Sequence, residues 1–396
     1  MNLTKQIAAV VGVNFRSLPR RLTTSFVIVV GIAGVVAVLI SVLSVSTGLT
    51  GALTATGRAD RAIILHTQSQ AEVGSSLTRD SVLTVLDKPG IARGADDRVL
   101  ASAEMIATVN LPRIDNGQLG SLTLRGVSPQ LFAVRPELKL VAGRSFRSGL
   151  REVIAGRGAQ QRYQGLGVGQ HVRFGDTEWT VVGVFDSAGG AHDSELLADS
   201  ETVLSAYQRT TFNSVTLKLD GDHGFERLSS AISSDPTLSV TAARETAYYE
   251  QQSQTFARFL GIVARLIGGI MAIGAIFAAL NTMYSAVSSR TVEIATLRAI
   301  GFSALPVVIS VMAESLALAL LGAVLGASAA WLLFNGNTVS TLGGGGGLAQ
   351  VVFHLHIGTA LIGMGIVWAC IVGLIGGLLP AIRAARLPVA TALRAV

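Results

Sequence analysis

Residues 281–302 read Asn281-Thr-Met-Tyr-Ser-Ala-Val-Ser-Ser-Arg-Thr-Val-Glu-Ile-Ala-Thr-Leu-Arg-Ala-Ile-Gly-Phe302, and this stretch is the most informative in the chain. It begins inside one long apolar segment, passes through a short charged turn, and ends where a second apolar segment starts. A turn of this kind between two membrane spans forms a short amphipathic helix in contact with solvent. The sequence therefore predicts a membrane protein that displays a helix, within residues 288–304, between two of its spans.

The composition is that of a multi-span membrane protein. Half of the 396 residues are hydrophobic, 14% are charged and the mean hydropathy is +0.54, values far from those of soluble chains. Four stretches reach the length of about 20 apolar residues that a bilayer requires: residues 26–45, 266–287, 305–333 and 357–379. Only the third contains a charged residue, Glu314, and the single cysteine, Cys370, excludes an intrachain disulfide.

The chain between the first two spans is polar and reads as a folded domain. Alternating apolar residues predict strands at residues 121–125, 178–185 and 214–219, and helices are expected at residues 79–86, 200–209 and 224–233. We therefore expect an α-helical four-span membrane protein with a large extracytoplasmic mixed α/β (α+β) domain, residues 47–250, inserted between spans one and two. About 200 residues leave room for a second subdomain, at about 125–210.

Basic residues near the span ends predict the orientation in the membrane. Residues 47–250 hold 20 basic and 23 acidic residues, whereas the rest of the chain holds 11 and 2. Both termini and the turn are therefore expected to be cytoplasmic. The segments are then an interfacial helix at 1–22, spans at 23–46, 305–334 and 357–380, a stalk with span two at 251–287, an outer loop at 335–356 and a tail at 381–396. A cleaved signal peptide is the alternative for the N-terminus, but the apolar run is long and lacks a clear cleavage site.

Polar residues near the spans are candidates for function. Glu314 lies about two turns inside span three, where an acid is a functional hypothesis by default. Asn281 and Tyr284 lie at a similar depth in span two, and we expect an intramembrane polar contact with Glu314, which either relays motion or fixes helix register. Arg258 and Arg265, seven residues apart, are expected on one face of the stalk near the outer headgroups.

Other chemistry lacks its residues. A phosphate-binding loop requires a lysine after glycine, and none of the four lysines follows one. ATP hydrolysis by this chain is therefore not expected, nor is a cofactor. His354 and His356 alternate beside span four, and His192, Asp193 and Glu195 cluster after Gly189-Gly190. Neither group has a second ligand set at a recognised spacing, so interface polarity and a solvated loop are favoured over metal sites. The Gly322-x-x-x-Gly326 and Gly373-x-x-x-Gly377 spacings allow close helix packing, within the subunit or between subunits.

With these features the chain resembles the FtsX/MacB-type permeases of ABC transporters. The resemblance is carried by the order of span, domain and three spans, by Arg290-Thr-Val-Glu-Ile-Ala-Thr-Leu-Arg-Ala-Ile-Gly301, and by Leu379-Pro-Ala-Ile-Arg-Ala-Ala-Arg-Leu-Pro388. The outer domain adds Glu152-Val-Ile-Ala-Gly156 and Val181-Val-Gly-Val-Phe185, which are similar to the MacB-like periplasmic core domain. The residues of this sequence include no ATPase domain of the kind fused in the longer MacB efflux proteins, so we expect the ATPase to be a separate chain.

The resemblance implies a non-catalytic permease subunit. Its coupling helix would dock on a separate ATPase subunit, which binds ATP and Mg²⁺, and would transmit ATP hydrolysis to the outer domain for export or extraction of a substrate. The residues implied in docking are Arg290, Glu293, Ala295, Thr296, Leu297, Arg298 and Gly301.

The implied partners are a dimer of ATPase subunits and a second permease chain, with a homodimer expected. A periplasmic adaptor with an outer-membrane channel, or a lipoprotein or lipid acceptor, would complete the assembly. The alternative function is a membrane-anchored sensor or scaffold whose extracytoplasmic domain binds a ligand. Nucleic acid is not an expected partner, because the topology explains the basic pI.

Overall fold

The computed structural model describes residues 22–340 and 352–386, together with residues 4, 6–7 and 10–12. Most of the expected interfacial helix at 1–22, the glycine run at 343–347 and the tail beyond residue 386 lie outside these residues. The chain divides into two compact units. The membrane unit comprises Met1–Thr47, Arg258–Asn337 and Leu355–Val396, and the outer domain comprises Gly48–Ala257 and Thr338–His354.

In chain order the helices are α1 Leu22–Thr56, α2 Arg79–Leu86, α3 Leu131–Val134, α4 Arg157–Gln160, α5 Ser200–Ala206, α6 Gly224–Ser233, α7 Glu245–Ser288, α8 Thr291–Ala299, α9 Ala304–Phe334 and α10 Thr359–Ala385. The strands are β1 Arg61–His66, β2 Ala101–Pro112, β3 Leu119–Val127, β4 Lys139–Gly143, β5 Glu152–Gly156, β6 His171–Phe174, β7 Thr177–Asp186, β8 Glu195–Asp199, β9 Ser214–Lys218, β10 Val240–Arg244, β11 Thr338–Ser340 and β12 Val352–His354.

Four helices of the described residues are long and apolar enough to cross a membrane, namely α1, α7, α9 and α10. Two of them are longer than a span requires. Helix α1 has 35 residues and α7 has 44, so at 1.5 Å per residue each exceeds the hydrocarbon thickness of about 30 Å. The first continues to Thr56 and the second starts at Glu245, so each helix contributes residues to both units.

Small residues bring the spans together at backbone distance. A Cβ built on Gly322 of α9 would lie 2.8 Å from the carbonyl oxygen of Val29 in α1, and one on Gly326 would collide with the backbone of Ala33. A Cβ built on Gly373 of α10 would lie 2.5 Å from the Cβ of Ala319 in α9. Both glycine spacings therefore serve packing within one chain, which answers the question that the sequence left open.

The outer domain is built on one ten-stranded sheet among the described residues. Its order is β10-β1-β9-β2-β3-β8-β5-β7-β4, with β6 paired to β7. The β3–β8 and β5–β7 pairs are parallel and the others antiparallel. The sequence left room for a second subdomain at residues 125–210. Strands β4 to β8, which lie within these residues, all belong to this one sheet. Its core includes Trp179, which is fully buried and stacked on Phe174 with ring centroids 5.5 Å apart.

The predicted strands and helices of this domain are confirmed. Helices α2 and α6 have the expected bounds, and α5 ends three residues before the expected limit at Arg209. Thr78 and Asp199 explain two of the starts, because each side chain accepts a hydrogen bond from a backbone N–H of the first turn. In the region expected as an outer loop, β11 and β12 pair as an antiparallel hairpin.

Candidate coupling site

The turn between the second and third spans folds as the helix α8. It starts after Arg290 and stops at Gly301, whose φ of 98° is a left-handed conformation that glycine adopts without a steric penalty. The N–H groups of Gly301 and Phe302 donate to the carbonyls of Arg298 and Leu297, at 3.2 and 3.1 Å, which satisfies the end of the helix. Gly301, which was expected among the docking residues, therefore has a structural role as the helix stop.

One face of α8 is attached to the spans of its own chain. Ile294 and Ala295 are buried, and Ala295 is only 2% exposed. Arg298 donates a hydrogen bond from Nη1 to the carbonyl oxygen of Ala385, at the last residue of α10, over 2.8 Å. The expectation that Ala295 packs on a partner is therefore corrected: a residue this buried cannot reach one. Arg298 is likewise engaged inside the subunit, because the free carbonyls at the end of α10 attract a cation.

The opposite face of α8 is open. Val292 is 41% exposed and Ile300 is 68% exposed, and Glu293, Thr296 and Ala299 lie exposed with them. We call these five residues the open face. Leu297, another expected docking residue, is half-buried. A cavity of about 360 Å³ adjoins the open face. It is lined by Val10, Met283, Ala286, Val287, Arg290, Val292, Glu293, Ile294, Thr296, Leu297, Val307, Ser310, Val311 and Glu314.

A buried ion pair joins the start of α8 to the third span. Arg290 Nη1 lies 3.3 Å from Glu314 Oε2, and both residues are 5% exposed. Breaking a buried pair by removing one partner costs about 3–5 kcal/mol, because it leaves an uncompensated charge. The pair therefore fixes the position of α8 on α9 and explains how Glu314 can lie inside the bundle.

The expected neighbours of Glu314 have other surroundings. Asn281 lies on the exposed surface of α7. The guanidinium carbon of Arg383 lies over the ring of Tyr284, 5.3 Å from the centroid of that ring. The expected contact of Glu314 with Asn281 is thus replaced by the pair with Arg290. Sequence reasoning compared depth along the helices, and depth alone does not fix which side of a helix a residue occupies.

The two stalk arginines lie on the exposed surface of α7, and their place near the outer headgroups stays a prediction. Arg258 and Arg265 are both exposed, and Arg265 Nε donates to the carbonyl of Gly261 over 3.0 Å. Large apolar side chains share the exposed surface, with Phe259 at 61% and Leu266 at 61% exposure. An apolar exposed surface of this kind needs lipid or protein to cover it.

A buried charged cluster in the outer domain was missed by the sequence reasoning. Arg125, two residues before the end of β3, lies 2.9 Å from Glu72, 2.7 Å from Glu104 and 2.8 Å from Glu195. His192 Nδ1 lies 2.8 Å from Glu195 Oε2. Burial raises the pKa of Glu195 and of Glu72, but the Arg125 guanidinium outweighs it and holds both pKa values below their ordinary value.

This cluster corrects the interpretation of residues 192–195 as a solvated loop. His192 and Glu195 are both almost fully buried, since the short 3₁₀ segment Ala191–Ser194 packs under the sheet. The sequence did contain a signal for this cluster, because the charged residues Glu104 and Arg125 each lie inside an otherwise apolar strand. Charged residues are almost never fully buried unless they are paired, so these two positions could have been linked to each other.

Two family models match the chain. One, described as the MacB-like periplasmic core domain, matches residues 25–242, and the other, described as the FtsX-like permease C-terminal, matches residues 265–389. No curated protein gives a significant match.

Two solved structures are similar to the outer domain. The periplasmic region of MacB from Actinobacillus actinomycetemcomitans aligns with a TM-score of 0.38 and 17% identity, over 50% of this chain and 94% of that chain. The extracellular domain of the noncanonic ABC-type transporter YknZ from Gram-positive bacteria aligns with a TM-score of 0.36 and 14% identity, over 46% and 99%.

Proposed function

Because the chain belongs to the FtsX/MacB-type permeases of ABC transporters, we propose that a separate ATPase subunit drives it by docking on the open face of α8. The chain is then the transmembrane component, and ATP with Mg²⁺ binds to the partner. The observation that carries the proposal is the two-sided character of α8, one face attached to the spans and the other free for a partner.

The attachments make α8 a suitable point for applying force. The ion pair of Arg290 with Glu314 ties its start to α9, and the hydrogen bond from Arg298 ties its end to α10. A partner that moves the open face therefore displaces two spans together with the helix. The apolar residues Val292 and Ile300 supply contact area, while Glu293 supplies a charge at the rim.

The orientation and the remaining partners follow from the same proposal. The open face and both termini lie in the cytoplasm, where ATP is available, and the basic residues near the span ends support this orientation. The exposed apolar surface of α7 is covered by a second copy of the chain, as the expected homodimer requires. The outer domain receives the motion and acts on a substrate that is exported or extracted, with either an adaptor and an outer-membrane channel or a lipoprotein or lipid acceptor beyond it.

The proposal is tested by co-purifying the full chain with its ATPase after an arginine is introduced on the open face, once in place of a glutamate and once in place of a neutral residue. We expect Glu293→Arg and Thr296→Arg to weaken retention of the ATPase on the order of tenfold, which corresponds to about 1.4 kcal/mol at an interface. Stimulation of ATP hydrolysis by the permease should fall in parallel. Charge reversal at Arg298 is a poorer probe, because it also breaks the contact with Ala385.

The matched control is Glu178→Arg, an exposed charge reversal in the outer domain. This variant should retain the ATPase at the level of the unmodified chain. If both α8 variants also retain it, with hydrolysis still stimulated, the docking site is elsewhere. If the chain binds no ATPase but ATP-independent ligand binding alters its outer domain, the sensor function replaces the transporter function.

A further inference from the structure

A second buried charged group lies inside the outer domain, at the end of α1 and the start of α7. Four residues form it, and we call them the charged joint: Arg61, Arg135, Glu137 and Glu245. Glu245 is the first residue of α7 and is 0% exposed. Arg61 is the first residue of β1, and Arg135 follows α3 directly.

The Glu245 carboxylate gathers three segments of the chain. Arg61 Nε donates to Oε2 over 2.7 Å, and the backbone N–H of Arg58 donates to the same oxygen over 2.9 Å. Arg135 Nη1 lies 2.6 Å from Oε1. Hydrogen bonds to a charged group are stronger than those between neutral groups, so this carboxylate fixes the start of α7 to β1 and to the chain that leaves α1.

The end of α1 is attached through the same arginine. Arg61 Nη2 donates to the carbonyl oxygen of Thr56, the last residue of α1, over 3.3 Å, and the Thr56 hydroxyl accepts a hydrogen bond from the N–H of Ala191 over 2.8 Å. A Cβ on Gly57 would lie 3.0 Å from the Cα of Thr246. The two helices therefore meet at backbone distance at this point.

The joint is neutral overall, with a dry and a solvated side. Burial lowers the pKa of Arg135, but Glu245 together with Tyr249 and Glu104 outweighs it, and the pKa stands above its ordinary value. Arg61 Nη1 lies 2.6 Å from Glu137, which is half-buried and lines an open cleft of about 410 Å³. Water can screen the pair with Glu137, whereas the contacts of Glu245 are shielded from it.

We propose that the charged joint locks α7 to the sheet, so that the start of this helix, the end of α1 and strands β1 and β10 move as one body. The reason is the chain path: β10 ends at Arg244 and α7 begins at the next residue, with no linker between them. Such a junction is a natural hinge, and the contacts of Glu245 remove its freedom. The proposal deepens the proposed function, because a locked junction passes a displacement of span two into the sheet without loss.

The first test measures the junction without any ATPase, so that its outcome is independent of the docking proposal. Hydrogen exchange is followed on the full chain in nanodiscs for the parent and for Glu245→Gln. We expect exchange about tenfold faster or more in residues 56–61 and 245–250, since one hydrogen bond to a charged group accounts for at least about 1.4 kcal/mol. Strands β2 and β3 should keep their protection. The matched control is Glu250→Gln, an exposed glutamate on the same helix, which should leave exchange unchanged.

The second test measures motion at the junction. Spin labels are placed on α7 and α6 through Gln254→Cys and Ser230→Cys, both exposed, in a chain that carries Cys370→Ser. The distance distribution should be narrow in the parent and broader in Glu245→Gln. If Glu245→Gln does not fold, Arg61→Lys replaces it, because it keeps the charge and loses the forked geometry.

Glu137→Gln should have the smallest effect among variants of the joint, because its pair is the solvated one. Two outcomes would contradict the proposal. The first is a spin-label distance distribution as broad in the parent as in the variants. The second is a uniform loss of hydrogen-exchange protection across the whole outer domain in Glu245→Gln. The first outcome means that the junction is already a hinge. The second means that the joint serves only folding. A locked junction in a chain that still fails to bind an ATPase would leave the lock in place and remove the docking proposal alone.

Discussion

Replacing Arg125 by methionine should strongly destabilise the outer domain. The arginine is the cation shared by Glu72, Glu104 and Glu195, all of them buried. Methionine has a similar length and no charge, so three carboxylates would be left without it. Removing one partner of a buried charged group costs about 3–5 kcal/mol. At about 2–4 °C per kcal/mol for a domain of this size, the melting temperature should fall by roughly 6–20 °C.

The assay reads the outer domain alone through tryptophan fluorescence. Trp179 is fully buried in the core of this domain, and Trp331→Phe with Trp368→Phe removes the two tryptophans of the spans. Thermal unfolding of the full chain in detergent then reports the environment of one side chain. This choice avoids treating a chain of two units as a single two-state system.

The control is Arg79→Met, which removes an arginine from an exposed ion pair. Arg79 and Glu201 are each 55% exposed although their atoms approach to 2.6 Å. Exposed pairs contribute about 0–1 kcal/mol, so this variant should shift the melting temperature by less than about 4 °C. Equal shifts for the two variants would refute the reasoning, because burial would then make no difference to the value of an ion pair.

Three further predictions concern the spans and the response to acid. Gly326→Leu should prevent close packing of α9 on α1 and lower yield and melting temperature in detergent. Gly363→Leu, at an exposed glycine of α10 with open space where its Cβ would lie, should be tolerated. Glu72 and Glu195 have pKa values below their ordinary value in the folded state. Their contribution to the stability of the folded domain is therefore complete above the unfolded pKa of about 4.3 and is lost as pH falls through the folded values. Unfolding followed from pH 7 to pH 2 should show stability that falls below about pH 4.3, and a flat profile would contradict this prediction. Glu314→Gln should lower the melting temperature of the full chain by leaving its arginine partner uncompensated, and methionine in place of that arginine should recover part of the loss in the double variant.

The spans and the domain elements could be predicted because they depend on local patterns. The hydropathy of four stretches and the alternation in residues 178–185 and 214–219 are properties of neighbouring residues, and α2 and α6 were located to the residue. The length of α1 beyond its apolar stretch was not predicted. Residues 46–56 are polar enough to read as domain, although helical structure continues through them to Thr56.

The candidate site was predicted less well, because it depends on which side of a helix meets which neighbour. Sequence reasoning placed Ala295 and Arg298 on the docking face, yet both face the spans of their own chain. Glu314 was recognised as unusual, but its partner Arg290 was assigned to the docking helix instead. Both errors have one cause: contacts between residues far apart in sequence require the packing of three helices, and a single sequence contains no direct record of it.

The glycines of α9 have a consequence for how this span can vary among natural sequences. Gly322 and Gly326 lie against the backbone of α1, where any side chain would push two helices apart. Leu321, Val324 and Leu325 point away from the packed surface and are more than half exposed. Substitutions that change the size or shape of a side chain are therefore confined to the outward positions, while the two positions that face α1 stay restricted to the smallest residues. Homologous spans should differ freely in their lipid-facing side chains and keep the distance between helix axes almost constant.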